Sequence, residues 1–260
     1  MEKLNGVDVS GWQPGNVLDL IPFDFAIVKI SQGSSASNSY ANSQLNSARK
    51  KGLYGVYHFD NGNDNYKQEV DVFIAEATKK DIPGKGILFW DWEATAVNKG
   101  IGRLAKIREY LKSKLGYAAI YASGSPVKSN SSEFKKWDYV WVASYGSNPL
   151  LRQYNPNVTQ NYWPDALIHQ YGSRGRLGSY SGDIDLNVAF GSREGWQAIA
   201  KASKINGSGM PAPASGKKSN AELAAEVLAG KWGNGAERKA RLTQAGYDYD
   251  AVQAIVNKTA

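Results

Sequence analysis

The sequence contains no cysteine in its 260 residues, so neither disulfides nor thiolate metal sites contribute to it and folding is independent of the redox compartment. Histidine is nearly as scarce. His58 and His169 are too few for a histidine-based metal centre, and the expectation is no metal and no cofactor. No stretch approaches the roughly 20 apolar residues that span a bilayer, and the opening MEKLNGVDVSG lacks the apolar segment of a signal peptide. No phosphate-cradling glycine loop or nucleic-acid-binding signature is present, which argues against a nucleic-acid partner despite a net charge of +7. Much of the basic excess lies from Lys99 to Lys136, where it suits either an anionic partner or a solvated helix face.

What is present is a large hydrophobic share, 42%, enough for one large domain and a small one. Eight short β-rich runs punctuate the first 200 or so residues. They are Gly6 to Ser10, Phe25 to Ser31, Tyr54 to Phe59, Gly86 to Glu93, Ala118 to Ser123, Tyr139 to Ser144, Leu167 to Tyr171 and Ile184 to Phe190. Helical patterns occupy Ala41 to Lys51, Tyr66 to Lys80, Gly100 to Leu115 and Arg193 to Ser203. Strand and helix in alternation predict an α/β fold with a parallel sheet closed into an eight-stranded β/α barrel. The later gaps are loop-rich, so the barrel is expected to be irregular.

From Ile205 to Ser219 the chain reads INGSGMPAPASGKKS, the composition of a linker. Beyond it, Ser219 and Glu222 have the spacing of a capping box, and three helices follow: one to about Leu228, AERKARLTQ, and DYDAVQAIV. The domains expected are therefore 1–204, a linker 205–219, and a three-helix module 220–260 near the lower size limit of independent stability. A tail tethered in this way suits targeting better than catalysis.

The stretch GILFWDWE ends an apolar run in two carboxylates around a tryptophan. Along a strand, Ile87, Phe89, Asp91 and Glu93 share one face, while Leu88, Trp90 and Trp92 share the other. Adjacent carboxylates have no use in a core, so the pair is either a solvated strand end or an acid pair for catalysis. Other strands also carry polar groups at their C-terminal ends, where barrel chemistry gathers: Asp8 and Ser10, Lys29 and Ser31, and Gln170. Tyr57, Tyr121, Tyr145, Tyr171, Trp12, Trp92 and Trp141 add aromatic surface nearby. Sugar rings stack on such faces while their hydroxyls meet polar groups; for any one ring, packing in the barrel is the competing role.

The motifs GVDVSGWQ, VKISQG, YGVYHF, FWDWE, YVWVASY, HQYGS and DIDLN, in this order over Gly6 to Phe190, resemble glycoside hydrolase family 25, the N-acetylmuramidases or Chalaropsis-type lysozymes. The tail AEVLAGKWGNGAERKARLTQAGYDYDAVQAIVN resembles the wall-binding repeat of some phage endolysins. Together they imply a phage or prophage endolysin that cleaves the β-1,4 bond between N-acetylmuramic acid and N-acetylglucosamine in peptidoglycan. By position in the motifs, the resemblance makes Glu93 the general acid, Asp91 the second catalytic carboxylate, and Asp8 and Asp185 the remaining acids; spacing to Asn187 favours Asp185 over Asp183. Lys29, Tyr57, Trp92, Tyr121, Trp141, Tyr145, Gln170 and Tyr171 are the expected substrate surface.

Crowding by the other acids and burial together should keep Glu93 protonated near neutral pH. The substrate's acetamido group, oriented by Asp91, is expected to attack the anomeric carbon with net retention; direct attack by water, with inversion, is the alternative. In the tail, Trp232, Asn234, Arg238, Arg241 and Tyr247 suit a shallow muropeptide site, arginine matching the stem carboxylates; alternatively Trp232 and Tyr247 form the module's small core. The expected partner is peptidoglycan, with no membrane insertion and a monomer or weak dimer. Synthesis is expected in the host cytoplasm, with action on the wall after release through a holin or lysis. Competing readings are a chitinase- or glucosaminidase-like glycosidase and a wall-binding protein without catalysis.

Overall fold

A computed structural model describes residues 2–159, 163–203, 205, 220–228, 232–233, 235–244 and 247–259. The chain forms two compact units, Met1–Met210 and Pro211–Ala260.

In the first unit, β1 (Lys3–Val9), β2 (Phe25–Gln32), β4 (Leu53–Phe59), β5 (Ile87–Asp91), β6 (Ala119–Ser123), β7 (Tyr139–Ala143), β8 (Ile168–Gly175) and β9 (Ile184–Phe190) pair in that order, and β9 returns to β1, closing the barrel. A two-residue strand, β3 (Ser35–Ala36), pairs only with the end of β2. All eight expected strands are present. Their near-continuous apolar runs follow from burial on both faces, between the barrel interior and the outer helices.

One expectation about the sheet fails. Neighbours from β1 through β2 and β4 to β8 run parallel, but β9 is antiparallel to both β8 and β1. The reason is connection length: residues 176–183 between β8 and β9 fall short of the dozen or so a parallel crossover requires. The β7 to β8 connection has no helix among its described residues, which accounts for the barrel's irregular outer layer.

The outer helices are Ala41–Lys51, Tyr66–Lys79, Ile101–Leu115 and Arg193–Lys201. Helix Ile101–Leu115 buries Leu104, Ile107, Arg108, Leu111 and Leu115, a stripe at spacings of three and four, and ends on Gly116 in the left-handed region at φ 87°. The Asn65 side chain caps Tyr66–Lys79 by accepting from Gln68 N, and Ser192 caps Arg193–Lys201 by accepting from Gly195 N. Gly6 is required by close approach: a Cβ there would lie 2.3 Å from the Phe25 ring.

In the second unit, helices Asn220–Leu228, Gly235–Gln244 and Tyr249–Thr259 enclose Leu223, Ala224, Val227, Leu242, Val252 and Val256. Trp232, Tyr247, Tyr249 and Ile255 pack around this small core. Most of the expected linker, the Ser219 half of the capping box and the Glu222 side chain lie outside the described residues.

Candidate active site

At the C-terminal ends of the barrel strands, Asp8, Tyr57, Asp91, Glu93, Tyr121, Trp141, Tyr145, Gln170 and Asp185 line one cavity of about 190 Å³. The four acids come from three regions of the chain: Asp8 near the end of β1, Asp91 and Glu93 at and just past the end of β5, and Asp185 at the start of β9. Because β9 runs antiparallel, its beginning lies at the same barrel end as the finish of β1, and Asp8 and Asp185 are register partners. The irregular strand thus supplies the fourth acid.

Below the acids the interior is aromatic. Trp141 meets Phe89 at 5.5 Å, Tyr121 at 4.6 Å and Tyr57 at 6.2 Å between ring centroids, in edge-to-face arrangements. Polar ends of this layer order the acids. Asp8 Oδ2 accepts from Gln170 Nε2 at 2.6 Å and Asn187 Nδ2 at 2.7 Å. Gln170 Oε1 accepts in turn from the hydroxyls of Tyr121 and Tyr145, and Asn187 Oδ1 from Trp141 Nε1. Each amide donates to Asp8 while its carbonyl accepts from aromatic side chains, so a flip would break three bonds at Gln170 and two at Asn187.

β5 ends at Asp91, two residues short of the expected strand. Trp92 N still donates to Tyr121 O and Glu93 remains extended, so Glu93 keeps the face of Asp91. Ala94 then takes a left-handed φ of 49° into a short 3-10 turn, Ala94–Lys99. A non-glycine residue in that region is strained, and here it turns the chain directly after Glu93.

Burial raises the pKa of every acid in the cavity. Asp8 rises from 3.8 to about 6, chiefly through burial against the lowering effect of its two amide donors. Asp185 rises to about 8 through burial, then through the charges of Asp8 and Glu93. Asp91 is pushed well above the ordinary carboxylate range by burial and by Glu93, and its Oδ1 is buried without a hydrogen-bond partner. Glu93, half-buried, rises through burial, opposed by Lys29. Like-charge repulsion with Glu93 adds to burial at Asp8, Asp91 and Asp185, and burial is the leading cause at Glu93 itself. Four acids this close share their protons as one coupled system.

Lys29 stands beside the pocket and is held by Gln32 Oε1 at 2.6 Å and the face of Phe59 at 4.5 Å. Burial lowers its pKa, and Asp91 and Glu93 oppose that. Two expected substrate residues lie elsewhere. Trp92 faces outward, buried, with Nε1 donating to Ala96 O and its ring 6.0 Å from Phe134. Tyr171 lines a separate cavity behind Tyr145, and its hydroxyl accepts from Asn155 N. Strand alternation explains both: the pleat that sends Glu93 and Gln170 inward sends Trp92 and Tyr171 out. Asn187, which positions Asp8, was missed as a site residue, although the DIDLN spacing that selects Asp185 also brings its side chain inward.

In the tail module, Trp232 and Tyr247 meet edge-on at 5.9 Å, and Trp232 Nε1 donates to Glu226. Arg238 donates to Gly233 O and Gln253, while exposed Arg241 pairs with Glu237. Asn234 lies outside the described residues.

Among the described residues no group of three or more acidic, histidine or cysteine side chains is arranged to hold a metal ion, and no helix is long and apolar enough to cross a membrane. Residues 7–180 match the family model for glycosyl hydrolases family 25, and residues 221–259 match the CW_7 repeat. The lysozyme of Streptococcus phage Cp-7 is 24% identical over 260 residues, covering 97% of this chain and 67% of that protein. The catalytic domain of endolysin ply40 from bacteriophage P40 of Listeria monocytogenes superposes with TM-score 0.60 at 21% identity, over 77% of this chain and 98% of that one. A bacterial lysozyme from Streptomyces coelicolor does so with TM-score 0.59, also at 21% identity over 77% and 98%. At such identity these structures speak for the barrel fold.

Proposed function

This chain belongs to glycosyl hydrolases family 25, and from that premise we propose that it is an endolysin hydrolysing the β-1,4 bond between N-acetylmuramic acid and N-acetylglucosamine. The observation that carries this reading is the convergence of four carboxylates, Asp8 and Asp91 buried and Glu93 and Asp185 partly so, with Lys29 beside them, on one aromatic-floored cavity. A glycosidic bond breaks when one carboxylic acid protonates the leaving oxygen and a second group supports the positive charge at the anomeric carbon. Glu93 is the proton donor: it is the acid most open to substrate, and burial favours its protonated form. As the bond to the leaving oxygen breaks, the acetamido carbonyl oxygen bonds to the anomeric carbon. Asp91 Oδ1, buried and lacking a partner, accepts from the acetamido N–H. Water, deprotonated by the Glu93 carboxylate, then opens this intermediate with net retention. Asp8 and Asp185 hold the charge balance and the hydroxyls of the bound sugar, with Tyr57, Tyr121, Trp141, Tyr145 and Gln170 forming its walls.

The tail holds the enzyme on the wall, with Trp232, Arg238, Arg241 and Tyr247 as the face offered to muropeptide. A single repeat binds modestly, and barrel and tail together raise the effective concentration at the wall. The enzyme works as a monomer or weak dimer and reaches its substrate after synthesis in the host cytoplasm, through a holin or lysis. Mass spectrometry of digested walls tests the bond specificity: muramic acid at the new reducing end is expected, and glucosamine there would assign the chemistry to a glucosaminidase. Proton NMR of the first product tests the route, since an initial α-anomer would replace retention by direct water attack.

A further inference from the structure

Trp12 is 92% exposed and Tyr40 is 44% exposed; they are the exposed large hydrophobic residues among those described. Both belong to one cluster of loops at the barrel end that holds the acids. Trp12 follows Asp8 by four residues, so its backbone lies at most about 14 Å from that acid. Tyr40 borders the same turn: a Cβ on Gly15 would lie 3.2 Å from its ring.

An indole left in water usually signals a mobile segment, but the backbone turn that carries this one is pinned. Gln44, fully buried, donates to Ser10 O at 2.9 Å and Gln13 O at 3.1 Å, the two ends of the Trp12 turn. Ser10 N donates to Gln13 Oε1, and Trp12 N to Ser10 Oγ. Asn38 Nδ2 donates both to Gln44 Oε1 and to Lys29 O, and Asn38 Oδ1 accepts from Tyr40 N. One buried amide pair therefore fixes the Trp12 turn, the Tyr40 turn and the strand carrying Lys29. A fixed turn that presents a bare indole to water leaves its apolar surface unburied, which makes sense when a ligand covers the ring.

We propose that Trp12, flanked by Tyr40, is a stacking platform for an aminosugar ring of the same glycan strand, outside the cavity where the bond is cut. The flat face matches the apolar face of a pyranose. A platform set before binding loses little conformational freedom when the strand arrives. The inference rests on the glycosidase reading but is tested separately from it.

Of the eight tryptophans, Trp90, Trp92, Trp137, Trp141, Trp163 and Trp196 are buried and Trp232 is half-buried, so acrylamide quenching of the full chain reads chiefly Trp12. A β-1,4-linked tetramer of N-acetylglucosamine is expected to protect the quenchable fluorescence, and Trp12→Ala to abolish that protection. On soluble glycan strands, Trp12→Ala should raise KM roughly tenfold with kcat within about twofold, and Trp12→Phe should restore most of the loss. Protection that persists in Trp12→Ala, or an unchanged KM, overturns the platform, as does an effect on whole walls with none on the tetramer. Failure of the wild-type protein to release reducing ends would sink the glycosidase reading instead, while the quenching result would still decide whether Trp12 binds sugar.

Discussion

Two groups of carboxylates lie on opposite sides of β4 and β5, and they are treated in opposite ways. Outside the barrel, Asp60 and Glu69 are fully buried. Arg103 binds Asp60 through two nitrogens, at 2.6 and 2.9 Å, and reaches Glu69 at 3.2 Å. Gly62 N and Trp90 Nε1 also donate to Asp60, Asn61 N satisfies the other oxygen of Glu69, and His58, stacked on Trp90 at 4.5 Å, is kept toward its neutral form by burial. Inside, the four acids have Lys29 beside them, and among the described residues Asp91 Oδ1 has no hydrogen-bond partner. Carboxylates that serve structure are neutralised and saturated with donors. Those proposed to serve chemistry face too little opposing charge to offset their burial, which raises their pKa values above the ordinary carboxylate range.

Glu93→Gln is the sharpest way to break the comparison: it should lower wall lysis by about 10²–10⁴-fold with the melting temperature nearly unchanged, and undiminished lysis would remove Glu93 from the mechanism. Arg103→Met probes the other side. It strips the counter-charge from two buried carboxylates and should destabilise the protein by about 3–5 kcal/mol in denaturant titration, while kcat of the folded fraction stays close to wild type. A drop in kcat without loss of stability would mean that the outer cluster belongs to the site.

The pH dependence separates the clusters further. Asp185 titrates at about 8 in the folded chain against an ordinary value of 3.8, so between those values the native state holds more protons than the unfolded one. Stability contributed by this group is therefore lost as pH rises from 3.8 towards 8. Asp185→Asn should flatten much of that decline in melting temperature, and an unaltered slope would assign it to Asp8 or Asp91. The smallest effect belongs to Asp183→Asn. Its carboxylate is exposed and paired with Arg176 at 3.0 Å, so a change below about 0.5 kcal/mol and full lysis are expected; a loss of lysis would reverse the choice between Asp183 and Asp185.

Much of the barrel was legible locally. Helix Ala41–Lys51 and strand Ile184–Phe190 fall at their expected boundaries because Gly52 and Gly191, and the periodicity on either side, mark where the pattern changes. The alternation in GILFWDWE separated Asp91 and Glu93 from Trp92, and that alternation was a better guide to Trp92 than its aromatic character. The Asp60, Glu69 and Arg103 cluster was not legible. Its members lie far apart in sequence, and each alone reads as an ordinary surface charge.

By itself the sequence determined where strands and helices form, which face of each strand turns inward, and which motifs point to a family, because these depend on periodicity and local residue chemistry. Only the tertiary structure decided that β9 runs backwards, that Asp185 thereby meets Asp8, that burial is the leading cause of the shift at Glu93, and that Gln44 fixes the backbone turn that carries Trp12. Each of those depends on closing the barrel, which brings together residues that no local pattern relates.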